Sequence, residues 1–508
     1  MSLKRNIIAS YASQIYVTLV GILILPLYLQ YMGVEAYGLV GFYTMLQVWF
    51  NLLDMGLTPT VARETARFRG GTADDALRYR RLLRGLQVMF FAIALLGGSM
   101  MYAFSDSIAE RWLNAQTLPL EQVRLALQLM AIGVALRWVS GFYRGYLLGA
   151  EQLVWLAGFN SFFATIRYAG IVPILVFINN SIEFFFIYQI IVAIAEVVIL
   201  LIKFKHLNSE IYINSQIGWS PKILLNELKK IIKFTSIMTL SSIVWIAITQ
   251  TDKLILSKII PLTEYAYFYI ATLAASSVTL ISNPISNSLL PRMVLSFSKN
   301  REDFLKIYSN ATQWICIVAM PACAMLSIHS EKILLLWTNN QFLAEKNSLT
   351  LSLYSLGNGL LIISSIPYFI QYSAGKLRLH LLGTFIFLLI LILSLMWKAE
   401  RYGGEGAGWI WLVLNAIYLF FWTPLIHHIF LPNIHWDWIK KDTLPIITIA
   451  FSAAWITTYA PWPKERFSSI ATLIITGAVV FFLTSLGSSS IREKISLHLR
   501  EKNVFKNN

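Results

Sequence analysis

The chain has 508 residues, of which 57% are apolar and only 13% charged, against about 25% charged in soluble globular domains. No segment between the apolar runs is long enough for an independent catalytic domain, which excludes a soluble enzyme held by an anchor. The formal charge of +15 would suggest nucleic acid in a soluble protein, but here the excess belongs to membrane topology, and no nucleic-acid partner is expected.

Lys4-Arg5 precede an apolar run that continues to about Tyr31. That run is too long for a signal-peptide core and has no small-residue cleavage site, so it is expected to be the first spanning helix. Further spans are predicted at about 36–58, 83–105, 122–148, 153–178 and 183–203. A second set is predicted at about 234–258, 264–290, 307–330, 347–372, 380–399 and 406–430, with two more at 444–460 and 467–487. The expected fold is an all-α membrane protein with about fourteen transmembrane helices. Its lobes are a six-helix unit over 1–205 and a pseudo-symmetric six-helix unit over 234–432, joined by a cytoplasmic linker at 206–233. An extra helix pair and a basic tail fill 433–508. Lysine and arginine crowd the N-terminal side of this layout, as in Arg63, Arg67, Arg78, Arg80 and Arg81, then Lys229, Lys230 and Lys233. The positive-inside rule then places both termini in the cytoplasm.

The second run carries Gln47, Asn51, Asp54 and Thr58 at i, i+4, i+7 and i+11, one face of a helix. The fourth carries Arg137 and Arg144 seven apart, again one face, and the fifth repeats the relation with Asn160 and Arg167. An arginine at a helix centre costs about 2.5–3.5 kcal/mol, so three facing lipid would cost roughly 7–10 kcal/mol. They are therefore expected to line a polar, positive cavity. Guanidinium forks suit phosphate because they offer paired donors and stay charged. The alternative is internal pairing with Asp54, Glu196 or Asp252. Gly141, Gly145 and Gly149 recur every four residues on the arginine-bearing helix, a spacing for close helix approach.

Asp252 and Lys253 sit toward the outer end of the seventh span. Lys253 could meet an anion or snorkel to the surface. Asp54, Asp252 and Glu196 are the candidates for carrying a coupling cation. At a fixed offset, Val34-Glu35-Ala36-Tyr37 meets Thr263-Glu264-Tyr265-Ala266, Asp54 meets Asn283 and Thr58 meets Asn287. Ser276, Asn283 and Asn287 then form a second polar face, which reads as the opposite wall of one cavity between repeats. The substrate-binding candidates are thus Arg137, Arg144, Arg167, Lys253, Asn51 and Asn283. Cys316 and Cys323, seven apart on one helix, lie too far apart for a disulfide and read as small fillers. The run Gly403 to Gly408 has no lysine-serine/threonine ending and no preceding strand, so it is a loop entering the twelfth span. His427, His428 and His435 make no metal-ligand spacing. No metal, cofactor or catalytic residue is expected.

Several stretches carry a family resemblance: Gly33-Val34-Glu35-Ala36-Tyr37-Gly38-Leu39, Leu52-Leu53-Asp54-Met55-Gly56-Leu57-Thr58 and Leu148-Gly149-Ala150-Glu151-Gln152. Thr251-Asp252-Lys253, Glu264-Tyr265 and Ser373-Ala374-Gly375-Lys376 follow in order. The chain resembles the bacterial polysaccharide flippases of the MOP superfamily, the O-antigen (Wzx-type) transporters. It departs from their pattern where Leu262 stands opposite Gly33. The resemblance implies two lobes in alternating access within the bacterial inner membrane and a polyprenyl-diphosphate-linked oligosaccharide as cargo. Membrane lipids, and as a further class other polysaccharide assembly proteins, are the implied partners. Arginines would hold the diphosphate and Asn/Gln/Ser faces the sugars. A multidrug exporter of the same superfamily would favour buried acids. A membrane glycan polymerase or ligase would need a larger outer loop than this chain has.

Overall fold

A computed structural model describes residues 3–54, 56–69, 73–208, 240 and 242–493; side chains are described at these positions except 3, 4, 7, 69, 73–78, 280–288, 291 and 298. Among the described residues every regular element is helical, and nine helices are long and apolar enough to cross a membrane. Large apolar side chains such as Leu95, Leu96, Phe177, Phe421 and Trp397 point outward along these helices. Only a lipid environment accommodates that much exposed hydrocarbon while all backbone hydrogen bonds stay within helices. The protein is an all-α, multi-pass membrane protein.

The chain divides into two compact units, 1–266 and 267–508. The first contains α1 (Leu3–Met32), α2 (Val34–Phe50), α3 (Leu57–Arg69), α4 (Ala73–Ala103) and the short α5 (Ser105–Arg111). It continues with α6 (Leu120–Gly149), α7 (Leu153–Ala164), α8 (Ile171–Phe177), α9 (Ile182–Leu207) and α10 (242–259). In this unit the described helices follow the predicted spans with one correction, while the start of the predicted seventh span and most of the 206–233 linker lie outside the described residues. The expected second span does not run unbroken to 58. α2 stops at Phe50, a 3₁₀ turn occupies Asn51–Asp54, and Gly56 adopts φ +76° before α3 begins. The reason is local chemistry. Asp54 Oδ1 accepts from the Thr58 backbone N–H at 3.0 Å and from its hydroxyl at 2.9 Å, which starts a new helix. Gln47 and Thr58 therefore sit on different helices.

The glutamate of the first resemblance motif has a structural task. Glu35, at the start of α2, accepts from the backbone N–H groups of Gln116, Thr117 and Leu118 and from the Thr117 hydroxyl. The same segment receives the Leu262 N–H on the Asn114 carbonyl at 2.9 Å, and Trp112 Nε1 donates to Ser257 Oγ at 3.0 Å. Gly38 lies where a Cβ would come within 2.6 Å of the Leu262 carbonyl oxygen. One end of this unit is thus tied around a buried carboxylate. Glu35→Ala would leave three backbone donors without their acceptor, at roughly 1–3 kcal/mol for each donor that stays buried. We expect a clear drop in thermal unfolding temperature in detergent, with Glu35→Gln intermediate because its amide keeps an acceptor oxygen. An unchanged transition in Glu35→Ala would show that the carboxylate carries no stability.

In the second unit, Arg301–Ile328 packs against Gln341–Ser373 and Leu444–Ile456 around Tyr308, Ile315, Met320, Ile366, Ile370 and Trp438. Cys316 and Cys323 are free and buried in this core. Gly403, at φ +49°, makes the turn between the predicted eleventh and twelfth spans within Arg378–Ile417. His427 Nε2 is 2.7 Å from the Tyr308 hydroxyl and its Nδ1 is 2.9 Å from His435, so these rings hydrogen-bond inside the protein. The C-terminal helix pair is fastened by polar contacts. Asp442 accepts from Ser309 and Gln313, each at 2.7 Å, while Gln313 Oε1 accepts from the Ser488 hydroxyl and the Ser490 N–H.

Candidate functional site

Within the first unit a cavity of about 780 Å³ opens among α1, α2, α3, α6, α7 and α9. Its charged lining consists of Arg137, Arg144 and Arg167 together with Glu196, a formal balance of +2. The three arginines singled out in the sequence thus line one cavity.

Two features of α6 aim its arginines. Their seven-residue spacing keeps both on one face. The small residues on the same helix let α3 approach: a Cβ on Gly145 would come within 2.7 Å of the Thr58 carbonyl oxygen, and one on Gly149 within 2.2 Å of that of Ala62. That close approach carries Thr58 into the cavity wall despite the break before α3. Arg167 is placed differently, by a π-helical turn at Thr165–Ala169 between α7 and α8. A π turn widens the backbone and frees carbonyls for outside donors. α9 uses two of them: Tyr188 Oη donates to the Ile166 carbonyl at 2.8 Å, and Gln189 Nε2 to that of Arg167 at 3.1 Å.

The three guanidiniums are held in different ways. Arg137 Nη1 donates to Gln47 Oε1 at 2.7 Å and Nη2 to Gln189 Oε1 at 3.3 Å, while its Cζ lies 5.6 Å from the Tyr43 ring centroid. Its buried Nε has no hydrogen-bond acceptor. Arg144 donates from Nη1 to Asn160 Oδ1, and its Nη2 lies 3.3 Å from Glu196 Oε1. Arg167 Nη2 forms an ion pair with that same oxygen. The internal-pairing alternative thus describes Arg144 and Arg167, with Glu196 as their shared acid. Arg137 is held by neutral amides.

The remaining candidates separate. Asn51 lines the cavity. Asp54 does not line it and is engaged with Thr58. Asp252 Oδ1 accepts from the Lys253 backbone N–H at 2.8 Å and lies 3.4 Å from its ammonium, which also donates to the Thr249 carbonyl. Neither Asp252 nor Lys253 lines the arginine cavity. The Asn283 and Asn287 side chains fall outside the described residues, and Ser276 donates to the Leu273 carbonyl in its own helix. Sequence reasoning missed one wall altogether. Ser10, Gln14 and Thr18 of α1 face the cavity at i, i+4 and i+8 beside Ser13. The signal was available as a polar stripe in an apolar helix.

A family model described as polysaccharide biosynthesis protein matches residues 3–297. A curated protein named "Putative O-antigen transporter", from Shigella flexneri, is 21% identical over 422 residues, covering 82% of this chain and 97% of its own length. Among solved structures, the lipid II flippase MurJ in an inward closed conformation superposes with a TM-score of 0.68 at 15% identity, covering 95% of this chain and 98% of its own. An inward-facing multidrug resistance MATE transporter of the MOP superfamily gives 0.63 at 13% identity, covering 80% and 94%. Such identities establish a shared fold, while the family model establishes kinship. This chain belongs to the polysaccharide biosynthesis protein family and has the MOP-superfamily fold.

Proposed function

We propose that this family member is a flippase that carries a polyprenyl-diphosphate-linked oligosaccharide, such as an O-antigen repeat unit, across the bacterial inner membrane by alternating access. The observation that carries this reading is the cavity lined by three arginines and one glutamate. An ionised arginine inside a membrane is expensive and is retained where it meets a partner of opposite charge. A diphosphate diester has two negative charges, which a chamber of formal charge +2 would offset. Ser10, Gln14, Thr18 and Asn51 add donors and acceptors of the kind that sugar hydroxyls require. The names of the Shigella relative and of the lipid II flippase agree with cargo of this class. Drug export, the activity for which the MATE relative is named, suits this lining less well, because a cationic drug would be repelled by it. In this reading both termini lie in the cytoplasm, the side that the positive-inside rule favours for the basic loops.

Purifying the intact protein from cells that assemble a surface polysaccharide and releasing bound lipids for native mass spectrometry tests the cargo. A polyprenyl diphosphate bearing sugars should co-purify and be lost from Arg137→Ala. Co-purification of phospholipid alone, with glycan export intact in a deletion strain, would remove the flippase reading. A membrane-impermeant maleimide should label single cysteines placed in the 112–119 segment from outside whole cells; labelling only after lysis would reverse the orientation.

A further inference from the structure

Glu196 is nearly inaccessible, with 2% of its side chain exposed, and it lies at the boundary of the arginine cavity. The side chains of the two arginines it holds are more open, at 27% for Arg144 and 14% for Arg167. All three side chains line the cavity, and the acid is the least exposed of them. A single carboxylate oxygen serves both, so neither arginine has the two-pronged fork-to-carboxylate pairing that a committed structural bridge adopts. Each fork keeps donors that a phosphate could engage from the cavity side.

We infer that Glu196 is a release residue, a resident anion that competes with the bound phosphate for Arg144 and Arg167 and draws both guanidiniums back as the cargo leaves. This rests on the flippase reading above and adds a kinetic device to the same site. A chamber of three uncompensated arginines would hold a diphosphate too firmly to let it go. The acid lowers the positive charge facing the phosphate and gives the arginines an alternative partner at the moment of departure. Transport needs a site strong enough to load and weak enough to empty, a condition shared with conducting channels.

Glu196→Gln tests this, because its amide oxygen can still accept from both guanidiniums while the charge is gone. The full-length protein is reconstituted in nanodiscs of neutral lipid, and binding of farnesyl diphosphate is compared with binding of farnesol, which has the same tail without phosphate. Glu196→Gln should bind farnesyl diphosphate roughly tenfold more tightly or better, since one opposing charge at contact distance is removed. Its affinity for farnesol should not move. In a deletion strain the same variant should export glycan more slowly than wild type. Tighter binding with slower turnover cannot arise from a damaged fold, which would weaken both. Glu196→Asp, with its carboxylate drawn back by one methylene, should show a smaller gain in affinity and decides the matter if the glutamine variant fails to accumulate. If wild type prefers the diphosphate to the alcohol but the variants bind it equally or more weakly, the release role is overturned and the anionic cavity stands. If wild type and variants alike fail to distinguish the two compounds, the anionic-cargo reading falls and the release role with it.

Discussion

On the flippase reading proposed above, Arg137→Ala should abolish glycan export while the protein remains inserted at normal abundance. Among the described residues no carboxylate forms a salt bridge with Arg137; its donors go to Gln47 and Gln189, and its buried Nε has no acceptor. Of the three cavity arginines it is therefore the one whose charge no salt-bridged carboxylate offsets, which on the flippase reading leaves it for the cargo phosphate. Charge-assisted hydrogen bonds contribute about 1.5–3 kcal/mol each, so losing a two-pronged contact corresponds to roughly a hundredfold fall in cargo affinity or more. Arg167→Ala should do less damage to binding, because that side chain is already engaged by Glu196. Arg137→Lys should recover part of the activity, since an ammonium restores the charge but not the fork. The measurement is surface polysaccharide in a deletion strain, normalised to membrane-inserted protein. Export at the wild-type rate from Arg137→Ala would mean that this guanidinium serves only to tie Gln47 to Gln189.

The order of the described spans was legible because a bilayer selects long apolar runs, and these can be read from hydropathy alone. The convergence of Arg137, Arg144 and Arg167 was legible for a related reason, since cost in lipid forces such residues inward. What the sequence hid is set by contacts of a few ångströms. Gln47, Asn51, Asp54 and Thr58 keep perfect helical spacing, yet Asp54 caps a new helix instead of extending the old one. Hydropathy cannot see that, although an aspartate followed by Gly56 is a helix-start signal of its own. Three acids were available to neutralise the arginines, and spacing alone does not choose among them. The fold chooses Glu196 because α6 and α9 pack side by side while the π turn delivers Arg167 to the same oxygen. Ser10, Gln14 and Thr18 escaped because single hydroxyls in a spanning helix are cheap, so they carry no signal comparable to an arginine.

The glycines of α6 should give a graded series in which alanine does most harm at Gly149, less at Gly145 and least at Gly141. A Cβ at Gly149 would sit 2.2 Å from the Ala62 carbonyl oxygen and 2.7 Å from Thr65 Cβ. The nearest atom is backbone, so α3 itself would have to move. At Gly145 the nearest atom is again backbone, the Thr58 carbonyl oxygen at 2.7 Å, whereas at Gly141 nothing comes closer than 3.4 Å. Overpacking of a tight contact costs about 1–3 kcal/mol, sometimes more. Gly149→Ala should therefore lower the thermal transition and the yield of folded protein, and Gly149→Val should leave little protein to recover. Function should follow packing here, because pushing α3 off α6 withdraws Thr58 from the cavity and loosens the helix face that aims Arg137 and Arg144. Gly141→Ala should keep both stability and export. Equal tolerance at all three positions would show that α3 and α6 do not depend on close backbone contact, and the placement of the arginines would then need another support.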